Sequence, residues 1–332
     1  MISVALGDPH AVPSQIGECA RLLAMVRDTV VAYKAEALTI FGDLHDSHDT
    51  VSVRVSDLWH RALASIPCRK ILLVGNHDQA YTDRTHPHAL QAYAAMEGVE
   101  VIDRPVGDVL PGVAMMPYYY DPAKFVDDAA DIAAVSHNPD LFCHQTFNGG
   151  RYENGFYARD AVEPSVINFF DRVWSGHIHL KQEFAQIRYI GAPRWRTRSD
   201  ANVDRYVYVL EHDGAVTREV ARVSTGSCCR RIWTGEDRPG APFEFTPEMA
   251  STDDVRVDVF GPDASYVRTR SEELRARGAV TRPFPDRAAA PSGVSESVGL
   301  EESLDRFASA WKAPNGSSPA AVLAEVRRRV AA

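Results

Sequence analysis

Five short stretches of this sequence end in residue types that bind divalent metals, and each follows an apolar run. Residues 2–6 lead to Gly7-Asp8-Pro9-His10, and residues 37–41 lead to Gly42-Asp43-Leu44-His45-Asp46. Residues 71–74 lead to Gly75-Asn76-His77-Asp78, residues 141–143 to His144, and residues 173–175 to Gly176-His177-Ile178-His179. Carboxylates, neutral imidazoles and amide oxygens are the donors such ions take. Asp8 and His10 stand two apart, so in an extended segment both point the same way and can reach one ion. His177 and His179 repeat that spacing. Asp43 has two oxygens with which to bridge two ions, Asn76 adds a neutral oxygen, and His144 adds a further nitrogen. Each signal alone has a plain alternative. Asp-x-His arises by chance, a single His144 can be a hydrogen-bonded core histidine, and Gly-Asn-His-Asp can be a turn, since Asn and Asp favour turns. Their combination, each at the end of a strand-like run, favours one shared metal site.

The elements that must position these residues are strands and helices in alternation. Short apolar runs ending in glycine read as buried strands. Between them, residues 14–34 place Ile16, Cys19, Leu23, Val26, Val30 and Tyr33 at helical steps, and 51–66 is a second helix. Alternation of this kind predicts an α/β fold, whose sites gather beyond the carboxyl ends of the strands. Past Gly191 the pattern changes. Residues 205–210 and 216–223 read as antiparallel strands around His212-Asp213-Gly214. Residues 224–250 read as an irregular connection. A compact strand–helix–strand unit is expected over 255–260, 264–277 and 279–284, with Gly278 ending the helix. Residues 286–293 read as a linker, and 301–312 and 318–331 as two helices split by Pro314-Asn315-Gly316.

The totals bound the class. A chain of 332 residues with 45% apolar and 24% charged residues is an ordinary folded protein of about two domains. A net charge of −9 argues against coating nucleic acid by bulk charge, without excluding a nuclease whose acidic residues hold cations. The five cysteines, Cys19, Cys68, Cys143, Cys228 and Cys229, match no zinc spacing. With no signal peptide and no apolar run near the roughly 18 residues of a membrane span, a soluble protein of the reducing cytoplasm is expected.

The ordered set Asp8-x-His10, Gly42-Asp43-x-x-Asp46, Gly75-Asn76-His77-Asp78, His144 and Gly176-His177-x-His179 resembles the calcineurin-like metallophosphoesterase superfamily. Residues 173–179 followed by Arg188-Tyr189-Ile190-Gly191-Ala192-Pro193 resemble the SbcD-type DNA repair nucleases, in particular the bacteriophage recombination endonuclease subunits of that group. The resemblance implies two packed mixed β-sheets flanked by helices, with a small α+β capping domain and C-terminal helices. It divides the chain into a nuclease domain (1–225), a connection and capping domain (226–288) and a helical segment (294–332). It further implies that Asp8, His10 and His179 bind one metal, that Asn76, His144 and His177 bind the other, and that Asp43 bridges them. His77 would act on the phosphate, with Asp78 orienting His77 or stabilising the turn. Asp46 stands where some members carry histidine. The implied cofactors are two divalent ions, manganese first, with iron, zinc or magnesium as the alternatives. The implied partners are DNA, an SbcC-like coiled-coil ATPase and a second copy of the chain, in the cytoplasm (of a host, if phage-encoded) and not at a membrane.

Some neighbours invite a role without fitting the pattern. His45, His48, His86, His88 and His137 are off the matching positions, and His45 is read as a surface residue or one supporting the ligands from behind. The stretch Arg194-Trp195-Arg196-Thr197-Arg198 could grip phosphates and stack on a base, or be a solvated loop with one packed aromatic. Arg151, Arg159 and Lys181 could add to a nucleic-acid surface. In the C-terminal helices, Leu304, Phe307, Ala308 and Trp311 form one apolar face and Val322, Leu323, Val326 and Val330 another. These faces are read as partner-binding, and Arg327-Arg328-Arg329 as a solvated helix end. DNA cleavage is the leading expectation. A small-molecule or cyclic-nucleotide phosphodiesterase is the alternative, and a scaffold with a vestigial site is the non-enzymatic one.

Overall fold

The computed structural model describes residues 1–83 and 85–285, and the apolar runs of the N-terminal half are strands covered on both faces. In β1 (Ile2–Leu6), β2 (Ala37–Ile40) and β3 (Arg69–Leu73), alternate side chains point to opposite sides of the sheet. Val4, Leu6, Leu38, Ile40 and Leu72 pack outward beneath two helices, while Ala5, Ala37, Ile71 and Leu73 pack inward on a second sheet. With no wet face, such strands show no polar alternation. The helices are α1 (Ile16–Tyr33), which buries Cys19, Leu22, Leu23, Val26 and Val30, and α2 (Val53–Ser65), which buries Val55, Trp59 and Leu63. α1 stops at Lys34, whose left-handed conformation lets its N–H return to Val30 and Val31.

The next elements are β4 (Val99–Ile102), β5 (Val106–Leu110), β6 (Val113–Met116), α3 (Pro122–Ser136), β7 (Asp140–Cys143), β8 (Arg172–Ser175), β9 (Gln182–Phe184) and β10 (Ile187–Tyr189). The hairpin β11 (Tyr206–His212) and β12 (Thr217–Ser224) follows. The first sheet has the order β12-β11-β1-β2-β3-β4, with β1 to β4 parallel and β11 and β12 antiparallel. The second has the order β5-β6-β7-β8-β10-β9, parallel from β6 through β10. Phe41, Met115, Phe142, Trp174 and Leu210 fill the space between the sheets. α3, capped by the Asp121 carboxylate, covers the far side of the second sheet through Phe125 and Ala129. The result is a helix–sheet–sheet–helix sandwich, the two mixed sheets flanked by helices that the family resemblance implied.

A third sheet follows, made of β13 (Ile232–Asp237), β14 (Asp254–Gly261) and β15 (Val280–Pro285), all parallel, with α4 (Ala264–Ala276) packed on it. The strand–helix–strand part lies where the sequence placed it. β13 falls inside the stretch expected to be an irregular connection; a glycine at its centre, Gly235, hides the strand pattern. The linker and C-terminal helices expected over 286–332 lie outside the described residues. Among the described residues no helix is long and apolar enough to cross a membrane.

His212 closes the seam between β1, β11 and β12. It is buried, with Ser3 Oγ 2.7 Å from Nε2 and Thr217 Oγ1 3.0 Å from Nδ1. Burial pushes its pKa down from 6.5 to about 4, so the ring is neutral when folded and charges more readily when unfolded. The unfolded chain therefore binds the extra proton, and stability is lost as pH falls from about 6.5 to about 4, by on the order of 3 kcal/mol. Denaturant titrations at pH 7, 5 and 4 should show this, and His212→Gln, weaker at pH 7, should have a shallower pH dependence. Equal slopes for the two proteins would remove His212 as the cause.

Candidate metal centre

Strand ends from both sheets meet at one point, and the side chains they carry are the polar ones singled out above. From the first sheet come Asp8 and His10 after β1, Asp43 after β2 and Asn76 after β3. From the second come His144 after β7 and His177 and His179 after β8. Asp43 is the hub. Its Oδ2 lies 3.4 Å from His10 Nε2 and 3.5 Å from His144 Nε2. On one side His10 Nε2 faces His179 Nε2 at 3.0 Å. On the other, Asn76 Oδ1 lies 3.0 Å from His144 Nε2 and 2.9 Å from His177 Nδ1, and those two nitrogens are 3.3 Å apart. Asp8 Oδ1 accepts the His177 N–H at 2.9 Å. All seven expected ligands are thus brought together around Asp43, with Asp8 Oδ1 also 3.2 Å from His144 Nδ1, on the side of His144 and His177.

The backbone is bent to achieve this. His10, Asp43 and His177 have φ of 41°, 52° and 77°, a left-handed conformation that costs non-glycine residues about 1–3 kcal/mol each and persists only when surrounding contacts enforce it. Gly42 and Gly75 leave room for the turn: a Cβ on Gly42 would meet the His144 ring, and one on Gly75 would meet the Asp43 carboxylate. The loops are laced together. His10 and Ala11 donate to the carbonyls of Asp43 and Leu44 at 2.9 and 3.0 Å, and Trp59 of α2 donates to Leu44 O.

The donor set fits divalent cations. His144 Nδ1–H donates to Phe41 O at 2.6 Å, which leaves Nε2 as a lone pair facing Asp43. Burial, then the neighbouring His179, holds His10 well below the usual imidazole pKa; burial, then His144, does the same for His177. Both rings are therefore neutral, the form that binds metal. Burial, then the Asp8 charge, pushes the Asp43 carboxyl well up, so the pocket favours added positive charge. Asp8 Oδ2 and His10 Nδ1 are buried without a hydrogen-bond partner among the described residues.

The neighbours sort differently. His77 donates its backbone N–H to Asp43 Oδ1 at 2.9 Å and its Nδ1–H to Asp46 O at 2.8 Å. His48, which no motif marked, stacks on the His77 ring at 4.4 Å. Asp78 is fully buried beside the turn. Its carboxylate accepts the N–H groups of Gly75 and His45 at 3.1 and 3.2 Å, so it stabilises the turn and is not placed to act on a substrate. Its pKa is pushed up to about 7, by burial and then by Asp43. Asp46 lies 3.4 Å from His10 Nδ1 and pairs with Arg196. His45 is neither on the surface nor at the hub: it is buried, 3.1 Å from Tyr93 Oη.

The arginine-rich stretch is corrected by burial. Arg194 is 0% exposed; it donates to Pro9 O and His10 O at 3.0 and 2.8 Å and pairs with Glu18 at 2.9 Å. Trp195 is 2% exposed and donates to Val203 O. Neither can grip a phosphate or stack on a base. Arg198 pairs with Asp258 of the third sheet at 2.7 Å. The residues missed are Glu153 and Asp200, whose carboxylates lie 3.7 and 4.0 Å from His179 Nδ1, and Tyr118, whose ring stacks on His177 at 5.2 Å. Asp200 carried a signal in Thr197-x-x-Asp200, a helix-start pattern. Tyr118 carried one in the Tyr118-Tyr119-Tyr120 run. Glu153 carried none.

Comparison with known proteins agrees with this geometry. The calcineurin-like phosphoesterase family matches residues 3–181. Exonuclease subunit 1 of Enterobacteria phage T4 is 25% identical over 194 residues, which are 56% of this chain and 56% of that protein. The chain therefore spans little more than half of this curated relative. A hypothetical protein from Thermus thermophilus superposes with a TM-score of 0.41 at 11% identity, over 68% of this chain and 98% of that one, a likeness too slight to carry weight.

Arg194 should prove structural. Arg194→Ala removes the partner of Glu18 Oε1, Gln15 Oε1 and two buried carbonyls, and is expected to cost about 3–5 kcal/mol of stability. Denaturant unfolding measures this, with Arg194→Lys as the milder variant. Unchanged stability with weakened DNA binding would reinstate a surface role.

Proposed function

The chain belongs to the calcineurin-like phosphoesterase family, and on that premise we propose that it is a two-metal phosphodiesterase that cleaves DNA. The observation that carries the reaction class is Asp43 Oδ2 lying 3.4 and 3.5 Å from imidazole nitrogens of two separate donor groups. Asp8, His10 and His179 with Asp43 would hold one ion, and Asn76, His144 and His177 with Asp43 the other. Bound there, two divalent ions would supply charge to neutralise the phosphate and to acidify a water. The mixed nitrogen and oxygen donors suit manganese, iron or zinc better than magnesium, and we take manganese as the working ion.

His77 is the group proposed to act on the phosphate. Its Nδ1–H is committed to Asp46 O, so Nε2 is the atom left to hold a proton and pass it to the leaving oxygen. Burial lowers its pKa, and the charge of an approaching phosphate would raise it again. Asp78, Gly75 and Asp46 hold the turn that aims the ring.

DNA as substrate is supported by the phage exonuclease relative and by the loop that carries Glu153 to His179. This loop exposes Phe156 (72%) and Tyr157 (61%) between the exposed Arg151 and Arg159. Aromatic rings with flanking cations are what single strands stack on. The small-phosphodiester alternative is supported by a cleft of about 720 Å³ beside Tyr118 and Tyr120, within the usual range for small ligands. An SbcC-like ATPase docked through residues 294–332, and a second copy of the chain, complete the proposed assembly. The helical faces read from the sequence support that docking, and they lie outside the described residues.

Two experiments test the reading. His77→Ala should keep its metals, measured by mass spectrometry, and lose roughly 10²–10⁴-fold in kcat; loss of metal would show His77 to be a ligand. Replacing Phe156 and Tyr157 with Ala should raise KM for single-stranded DNA roughly tenfold or more while leaving hydrolysis of bis-p-nitrophenyl phosphate unchanged. Equal effects on both substrates, or no DNA cleavage with manganese, would leave the small-phosphodiester reading.

A further inference from the structure

A second set of metal-type donors lies away from the Asp43 hub. The loop after the Asn76–Asp78 turn travels outward and folds back, so that His88 pairs with Gln79 and Ala80 donates to Pro87 O at 3.1 Å. This brings His86 and His88 onto Asp103, one residue past the end of β4. Asp103 Oδ2 lies 3.4 Å from His86 Nε2 and 3.6 Å from His88 Nε2, and the two rings are 4.9 Å apart. Asp103 Oδ1 is 3.3 Å from Arg104, which leaves Oδ2 to the imidazoles.

We propose that His86, His88 and Asp103 form a third cation site, for a single zinc-class divalent ion, with an open coordination position facing the cleft beside the catalytic centre. The first argument is distance. A good N–H···O bond spans about 2.7–3.2 Å, and both contacts are longer. Ligands held at about 2.0–2.1 Å from one tetrahedral ion stand about 3.3–3.4 Å apart, close to what is found. The second argument is the state of His88. Its side chain is 0% exposed, and both ring nitrogens are buried without a hydrogen-bond partner among the described residues. A buried imidazole lacking partners on both nitrogens is costly, and an ion bound at Nε2 removes half of that cost. The third is chemistry. Two imidazoles and one carboxylate leave a coordination position for water or an anion, as sites that meet a substrate do. His86 and Asp103 line the cleft of about 720 Å³ that also touches Tyr118 and Tyr120, so that position meets solvent or a phosphate oxygen there. The bland alternative, a histidine–aspartate ion pair, would engage the same His88 Nε2, but at 3.6 Å it is longer than a good hydrogen bond, so distance and the open third position favour the ion.

The site does not depend on the identity of the substrate, and its test reads metal rather than turnover. Full-length protein stripped of metal is dialysed against micromolar zinc and its metal content counted. Wild type should hold three ions per chain. His86→Ala, whose ring is 57% exposed and whose loss should not unfold the chain, should hold two, as should His88→Gln. A variant lacking Asp43 and His144 should keep one ion, and in that background zinc should raise the melting temperature and cobalt should give visible ligand-field absorption, both lost with His86→Ala. Asp103→Asn separates the alternatives. Weaker zinc binding with unchanged metal-free stability supports the site. Reduced metal-free stability with unchanged zinc binding supports the ion pair and overturns the proposal. Equal zinc content in wild type and His86→Ala overturns it too.

Discussion

A carboxylate almost closed off from water, held between imidazoles of two different sheets, is a costly thing to fold around. Asp43 is buried, and both its desolvation and the neighbouring Asp8 charge oppose its ionised form. Removing an isolated carboxylate from water costs several kcal/mol or more unless charge or hydrogen bonds compensate. The His77 N–H supplies a hydrogen bond. Arg196, the guanidinium that lowers the Asp43 pKa, is itself paired with Asp46. Divalent cations held by the surrounding donors would supply the remaining compensation. The left-handed backbone at His10, Asp43 and His177 and the glycines at 42 and 75 make sense as strain tolerated to keep the donors converged.

That constraint explains why the sandwich is built as it is. Three of the loops that carry donors end strands of the first sheet and two end strands of the second, so the centre exists only when the sheets pack. The apolar layer between them, with Phe41, Phe142 and Trp174, is therefore also what sets the distance from Asp43 to His144. Phe41 does both directly: its ring lies in that layer and its carbonyl fixes the His144 tautomer. Arg194 has the same double character. It reaches through the core to the Pro9 and His10 carbonyls and the Glu18 carboxylate, tying the first metal loop to α1. Binding of metal and stability of the fold are in this sense one quantity.

The centre was legible in the sequence because its donors sit where strand patterns end, and a strand end is a local signal. The five strands that end in donors (β1, β2, β3, β7 and β8), the first two helices and the β11–β12 hairpin were legible for the same reason. β4, β5, β6, β9, β10 and α3 were not read; short strands such as Val106–Leu110 and Gln182–Phe184 carry too few apolar residues to show a period, and none of these elements ends in a donor to the Asp43 centre. Glu153 was invisible because it reaches His179 across the fold from a loop with no pattern of its own. The misreading of Arg194 and Trp195 has a different origin. Composition and closeness to a metal motif say nothing about which way a side chain turns, and an arginine that finds two carbonyls and a carboxylate is stable inside.

The relocation of the aromatic and cationic surface changes how a polyanion would meet this protein. With a net charge of −9 the chain does not attract DNA globally, so attraction has to be local and recruited. The loop with Arg151, Phe156, Tyr157 and Arg159 is exposed and adjoins His179 through Glu153, whereas the buried Arg194 acts on the Pro9–His10 loop and on Glu18. Stacking on exposed rings tolerates any base, and under the proposed reading the metal centre would engage only the phosphate. On this arrangement sequence preference is weak by construction, and the choice between a strand and a small phosphodiester falls to the length of surface that can be occupied at once. On the proposed reading, a single phosphodiester would fill the centre alone, while a strand would also reach the 156–157 rings, so those rings and not the metal ligands would separate the two substrates.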